Sequence, residues 1–252
     1  MKIFLKCERD TLIGCLIFGF WIGPAGALPL YLRRAHDLWA RPDALPPSIS
    51  ACINTSLVAD FLRDCKVSST HLNAVSPKDK NYHIKGSNQR NAGMQWLREN
   101  IVKGKQRGVV YFADDDNTYD PRVFNEMRNL RQGATWPVGI VGGSSWEGCI
   151  TAPDEPSRIV GFWAGYKPRR SFPIDMAAFA INLDLLFTYT NASFDYKHVE
   201  QQEGTLLSQV GFKSALDLEP RANGCSKANP CMAYENASSA YTKAEAASTS
   251  NR

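Results

Sequence analysis

Gly108-Val109-Val110-Tyr111-Phe112-Ala113-Asp114-Asp115-Asp116 decides how the rest of this chain is read. The β-branched, aromatic and small residues at its start predict a short buried strand. Three acids cannot continue that strand, because each would carry a charge into the core. The triplet is therefore expected to emerge at the strand's C-terminal end, where open α/β sheets collect their ligands. Carboxylates gathered there suit a hard divalent ion, Mn²⁺ or Mg²⁺, that keeps positions open for phosphate oxygens. An acidic triplet is also a common solvated turn or helix cap, and the triplet alone does not separate the two.

Working outward, helical and extended patterns alternate. Residues 56–63 space Leu57, Val58, Phe61 and Leu62 as one face of a short helix, and residues 70–75 read as a strand. Residues 88–102 read as a helix with Met94, Leu97 and Ile101 on one stripe, and Pro121 is a good first residue for a helix over 121–130. Residues 138–141 and 158–162 look like strands, and residues 183–189 and 205–210 like short helices. That alternation predicts an α/β fold built on a mixed sheet.

The chain has 252 residues, enough for a sizeable core, and a net charge of only +4. No basic run is interleaved with aromatics, so a nucleic-acid partner is not expected. Residues 11–32 hold no charge, with Lys2, Lys6 and Arg9 before them and Arg33 and Arg34 after. That length can span a bilayer as a transmembrane signal anchor behind a cytoplasmic tail over residues 1–10. The alternative is a signal peptide cleaved near Ala25-Gly26-Ala27. Residues 33–50, with Pro42, Pro46 and Pro47, read as a stem, and residues 228–252 as a disordered tail rich in Ala, Ser, Asn and Thr. Of seven cysteines, five lie beyond the anchor, at 52, 65, 149, 225 and 231, and spacing does not reveal their pairing. Asn54, Asn191 and Asn236 head glycosylation sequons.

The stretch from Gly108 through Asp114-Asp115-Asp116-Asn117-Thr118-Tyr119-Asp120 resembles the β-1,3-glucuronyltransferases of glycosyltransferase family 43. Further matches follow in the family's order: Trp136-Pro137-Val138-Gly139, Val141-Gly142-Gly143, Trp146-Glu147-Gly148, Phe172-Pro173-Ile174-Asp175-Met176-Ala177 and Asp217-Leu218-Glu219-Pro220-Arg221-Ala222. Upstream, Gln89-Arg90-Asn91 and Trp96-Leu97-Arg98 fit as well, so that the resemblance runs over residues 54–225, about two thirds of the chain.

The resemblance implies an A-type nucleotide-sugar glycosyltransferase fold over residues 51–227, Rossmann-like and mixed. It implies inverting transfer of glucuronic acid from UDP-glucuronic acid to the 3-hydroxyl of a terminal galactose, in proteoglycan linker or glycoprotein glycans. It also implies Mn²⁺, a type II Golgi membrane protein with a lumenal catalytic part, and a homodimer. Residue by residue, it assigns the metal to Asp116, nucleotide contacts to Asp114 and Asp115, and the diphosphate to Arg90. Lys85 stands in for a second arginine there and loses the bidentate fork. Glu203, in Glu203-Gly204-Thr205-Leu206-Leu207, takes the place of the catalytic base, and Glu147, Tyr166, Arg170 and Asp175 form the acceptor pocket, with Tyr166 where the family often has tryptophan.

Two departures are expected to weaken the donor side. Leu45-Pro46-Pro47-Ser48-Ile49 resembles the start of the family's first strand, yet within a few residues the chain resembles sequence beyond the second. A strand–helix–strand unit of roughly 30 residues is thus expected to be absent, leaving an unpaired sheet edge. After Cys225 the family's Trp-His-Thr-Arg segment is replaced by Ala228-Asn229-Pro230-Cys231-Met232. A catalytically dead anchored variant that pairs with an intact transferase, or a protein that only binds the acceptor glycan, therefore stands as the alternative to an active enzyme.

Overall fold

The computed structural model describes residues 3–5, 13–19, 69–72, 74, 86–105, 107–114, 117–120, 122–141, 144–198, 201–226 and 233–234. Its centre is the strand β4 (Gly108–Asp114), buried along its whole length until Asp114. Successive side chains of a strand point to opposite faces, and both faces of β4 are covered. Tyr111 packs against Trp136 and Tyr119, with ring centroids 5.6 and 5.9 Å away. Phe112, on the other face, packs against Phe194 at 4.9 Å and Phe179 at 6.0 Å. A strand enclosed this way reads as a continuous apolar run, and so its limits are legible in the sequence.

Strands before β4 are β1 (Ile3–Leu5), β2 (Ile13–Gly19) and β3 (Ser69–His71). After it come β5 (Thr118–Tyr119), β6 (Gly133–Thr135), β7 (Val138–Val141), β8 (Ser144–Thr151), β9 (Ile159–Trp163), β10 (Phe179–Asn182), β11 (Glu219–Pro220) and β12 (Ala233–Tyr234). One mixed sheet has the order β11-β6-β10-β4-β2, a second β5-β12-β7-β8-β9, and β1 pairs with β3 alone. In the first sheet β10 runs antiparallel to β4, with Ala180 opposite Tyr111, while β2 runs parallel to it from Ile13–Gly108 to Gly19–Asp114. The helices are α1 (Ser87–Asn100), α2 (Val123–Glu126), α3 (Leu183–Thr188) and α4 (Gln202–Gln209). Ser87, Arg90, Met94 and Leu97 form the buried stripe of α1 at helical spacing.

Four sequence expectations differ from the fold. The sheet edge beside β4 is not open, because β2 lies along it. A strand buried on both faces needs ladder partners on both sides, and β2 supplies one set. β2 falls inside the stretch read as a membrane anchor, and among the described residues no helix is long and apolar enough to cross a membrane. The cause of the difference is that a short apolar run between glycines satisfies a strand as well as a helix. The helix expected over 121–130 contracts to α2, since Asn129 adopts a left-handed φ of 56° that ends the turn. In the stretch read as a tail, Ala233–Tyr234 pair with β5 and β7. The helix expected over 56–63 and the stem over 33–50 lie outside the described residues.

Cys149 on β8 and Cys225 form a disulfide, with Cα atoms 5.6 Å apart across a sequence separation of 76. Cys225 closes the turn that follows β11, so the bond ties the second sheet to the chain leaving the first. Cross-linking a loop of this length restricts the unfolded chain, and its removal costs about 2–5 kcal/mol. A Cys149→Ser/Cys225→Ser double variant is therefore expected to unfold at a clearly lower urea concentration than the parent, and reductant should lower the parent's midpoint alone. Equal midpoints for parent and variant would contradict the linkage.

Candidate active site

β4 delivers Asp114 to the sheet end half-buried, where Tyr119 fixes its backbone by donating its hydroxyl to the Asp114 carbonyl at 2.9 Å. Arg90 projects from the first turns of α1 and its Nη2 donates to Asp114 Oδ1 at 2.6 Å. The same guanidinium lies 5.3 Å from the centre of the Phe194 ring. Gly86, with φ 88°, starts α1, and a Cβ there would come within 3.2 Å of the Arg90 guanidinium. Glycine at this position is what lets the cation fold back against the helix start.

Glu203 occupies the first turn of α4. Enclosure of its carboxyl pushes it above the ordinary carboxylate value, while the positive charges of Arg170 and Arg90 oppose that shift and Asp114 adds to it. Arg170, Arg90 and Asp114, from three other segments of the chain, are thus each within electrostatic reach of Glu203. Asp175 and Asp114 likewise act, after burial, to hold the Tyr111 hydroxyl well above its usual range. The Tyr111 hydroxyl donates to the Ala177 carbonyl at 2.9 Å.

The residues expected to bind acceptor are each held by a backbone contact. Glu147, only 2% exposed, accepts from the Gly165 amide at 2.6 Å and so pins the loop that carries Tyr166. Arg170 donates to the Ile174 carbonyl at 2.8 Å and stacks 5.5 Å from the Tyr166 ring, with Lys167 5.6 Å from that ring. Its Nε is buried with no hydrogen-bond partner, a donor left over for something not supplied by the protein. Asp175 caps the 3-10 turn Met176–Ala178 by accepting from Ala177 N at 2.8 Å. The carbonyl of Ala177 in turn receives Tyr111 Oη and Trp136 Nε1, both at 2.9 Å.

Asp115, Asp116 and Lys85 lie outside the described residues. Among the described residues no group of three or more His, Cys, Asp or Glu side chains could hold a metal ion. Asp114 Oδ1 is engaged by Arg90, which is consistent with a metal role falling on a later acid of the triplet. One carboxylate completed by diphosphate oxygens and water is a donor set that fits Mn²⁺.

Several contacts that build the site were not read from the sequence. Asn91 clamps Phe194 by two hydrogen bonds, to its carbonyl at 3.0 Å and from its amide at 2.7 Å. An asparagine inside a helix is the signal that could have drawn attention to it, since that residue is a poor helix former unless its amide is used.

The profile of glycosyltransferase family 43 matches residues 51–235. Over 182 residues the chain is 41% identical to a galactosylgalactosylxylosylprotein 3-beta-glucuronosyltransferase of Caenorhabditis elegans, covering 69% of this chain and 50% of the relative. It is 40% identical to galactosylgalactosylxylosylprotein 3-beta-glucuronosyltransferase 1 of Homo sapiens, covering 69% of this chain and 54% of that one. To the human enzyme 2 of the same name it is 38% identical, covering 70% of this chain and 55% of the relative. The chain thus spans about half the length of the curated relatives it matches. With a profile match over residues 51–235 and these identities, the chain belongs to glycosyltransferase family 43.

Proposed function

We propose that this chain carries the active site of an inverting β-1,3-glucuronosyltransferase, taking glucuronic acid from UDP-glucuronic acid to the 3-hydroxyl of a terminal galactose. The observation that carries the reading is the Arg90–Asp114 ion pair at the end of β4, with the charges of Arg170, Arg90 and Asp114 all acting on the Glu203 carboxyl. Relatives named for the same transfer to a galactosylgalactosylxylosyl protein support the substrate class.

In this reading Glu203 accepts the proton of the acceptor hydroxyl as its oxygen bonds to the anomeric carbon and UDP departs. A carboxyl raised by enclosure is a better base than an ordinary one, and the charges of Arg170 and Arg90 favour its ionised form. Arg90, half neutralised by Asp114, turns its remaining N–H groups to the diphosphate. Arg170 offers its leftover Nε–H to a sugar hydroxyl, and the exposed Tyr166 presents a ring face to the galactose. Glu147, already holding a loop, contributes its second oxygen to an acceptor hydroxyl, and Asp175 shapes the same side of the pocket by capping the turn over Met176–Ala178. Asp115 would contact the nucleotide, Lys85 would add charge near the phosphates, and Asp116 would hold Mn²⁺, whose chemistry when bound would be to screen negative charge on the diphosphate.

A disulfide and an exposed Asn191 sequon support a lumenal setting, and likeness to the family extends that reading to the Golgi and to a homodimer.

Three outcomes are expected. With Mn²⁺, UDP-glucuronic acid and a galactoside, Glu203→Gln should lower turnover by roughly 10²–10⁴-fold while UDP affinity holds, because the amide keeps the shape but cannot take the proton. Binding of UDP and galactoside by the parent with no turnover would instead favour a protein that only binds. In calorimetry, Asp116→Ala should abolish the gain in UDP affinity that Mn²⁺ gives the parent, and an undiminished gain would remove Asp116 from the site. The third outcome is a stability curve. Glu203 holds its proton more tightly folded than unfolded, so the parent loses stability as pH rises from about 4.5 through the raised folded value. Glu203→Gln lacks that loss, so it should gain on the parent in urea midpoint between pH 4 and pH 8; parallel curves would mean the carboxyl is not enclosed.

A further inference from the structure

Helix α4 begins without a local cap: Gln201, the residue ahead of it, makes no side-chain capping bond. Its first residue, Gln202, is nevertheless buried, and both ends of its amide are used. Ser87 Oγ donates to Gln202 Oε1 at 2.9 Å, across 115 positions of sequence, and Gln202 Nε2 donates to the His198 carbonyl at 2.8 Å. Ser87 is fully buried and is the first residue of α1, three before Arg90.

The neighbouring side chains of α1 make the same connection. Asn88 Oδ1 accepts from the Tyr196 hydroxyl at 3.2 Å, and Asn91 clamps Phe194. The opening turns of α1 thus hold the segment leading into α4 at three points, and the last of these is adjacent to Glu203. A buried polar pair of this kind sets a unique arrangement, because any other places an unsatisfied amide in the core.

We propose that the Ser87–Gln202 hydrogen bond is a positioning device: it sets the first turn of α4, and therefore the Glu203 carboxylate, relative to the helix that carries Arg90. The inference rests on reading Glu203 as the base. Neither Ser87 nor Gln202 touches substrate in this account; they act through the backbone of α4. Among the described residues the charged groups acting on Glu203 are Arg170, Arg90 and Asp114, all on other elements, so a shift of the α4 first turn changes its distance to all three at once.

The test uses the full chain with Gln202→Met, an isosteric change without hydrogen-bonding groups, Ser87→Ala, and both together. Displacement of a catalytic group by even about 1 Å is costly, and each single variant should lose about 10–100-fold in kcat with KM for UDP-glucuronic acid held within about twofold. The double variant should fall no further than Gln202→Met alone, since that change already removes the bond lost in Ser87→Ala together with the one to the His198 carbonyl. A second measurement does not depend on turnover: the ¹³C carboxyl signal of Glu203, followed through pH, should titrate closer to 4.5 in Gln202→Met than in the parent. If the variant melts at lower temperature but the Glu203 titration stays where it was, the pair is merely structural and the inference is overturned. If the parent itself shows no Glu203-dependent turnover, the base assignment fails, while a titration shift in Gln202→Met still establishes the positioning role.

Discussion

A strand enclosed on both faces can carry no charge until it leaves the sheet, and that constraint on β4 organises the molecule. Tyr111 and Phe112 each meet two aromatic neighbours, one set on either face, so the strand's position is held by packing rather than by its turns. Asp114 is the first residue that can be ionised, and it is met at once by Arg90. A half-buried carboxylate without that partner would be desolvated at full cost. The ion pair is therefore a consequence of where β4 ends, and the position of α1 is set by the pair as well as by its apolar stripe.

The site then depends on α1 more than on any other helix. Its buried stripe fastens it to the sheet, while Ser87, Asn88 and Asn91 hold the segment that leads to Glu203. In the proposed reading, the donor and base sides of the site are thereby held together through α1. The acceptor side is separate: Glu147 sits on β8 of the second sheet, and the Cys149–Cys225 bond, two residues along the same strand, ties that sheet to the chain leaving the first.

Where one face or both faces of an element are buried, the chain is legible. The extents of β4, β7, α1 and α3 follow from apolar runs or helical spacing within a residue or two. β8 was missed because its inner face carries Glu147, an acid made tolerable only by the distant Gly165 amide. The start of α4 was placed three residues late, since Gln202 looks like a surface residue until Ser87 is known to reach it. The identities of the site residues came through likeness to a family; their contacts did not, because partners 115 or 103 positions apart leave no local pattern. The pairing of Cys149 with Cys225 was hidden for the same reason.

Ala177 shows how importance can reside where side-chain genetics cannot see it. Its amide is taken by Asp175 and its carbonyl by both Tyr111 and Trp136, so the two peptide groups that flank this residue join the turn after Asp175 to the aromatic side chains packed on β4. The methyl group contributes little to any of this. An alanine scan would pass over the position as already alanine, and a conservative exchange would report only on volume. The carbonyl's two lone pairs are both committed, so exchanges at Tyr111 and Trp136 are not independent of one another: each alters the acceptor that the other needs. Backbone chemistry, such as an ester in place of the amide, is the perturbation that addresses what this residue contributes.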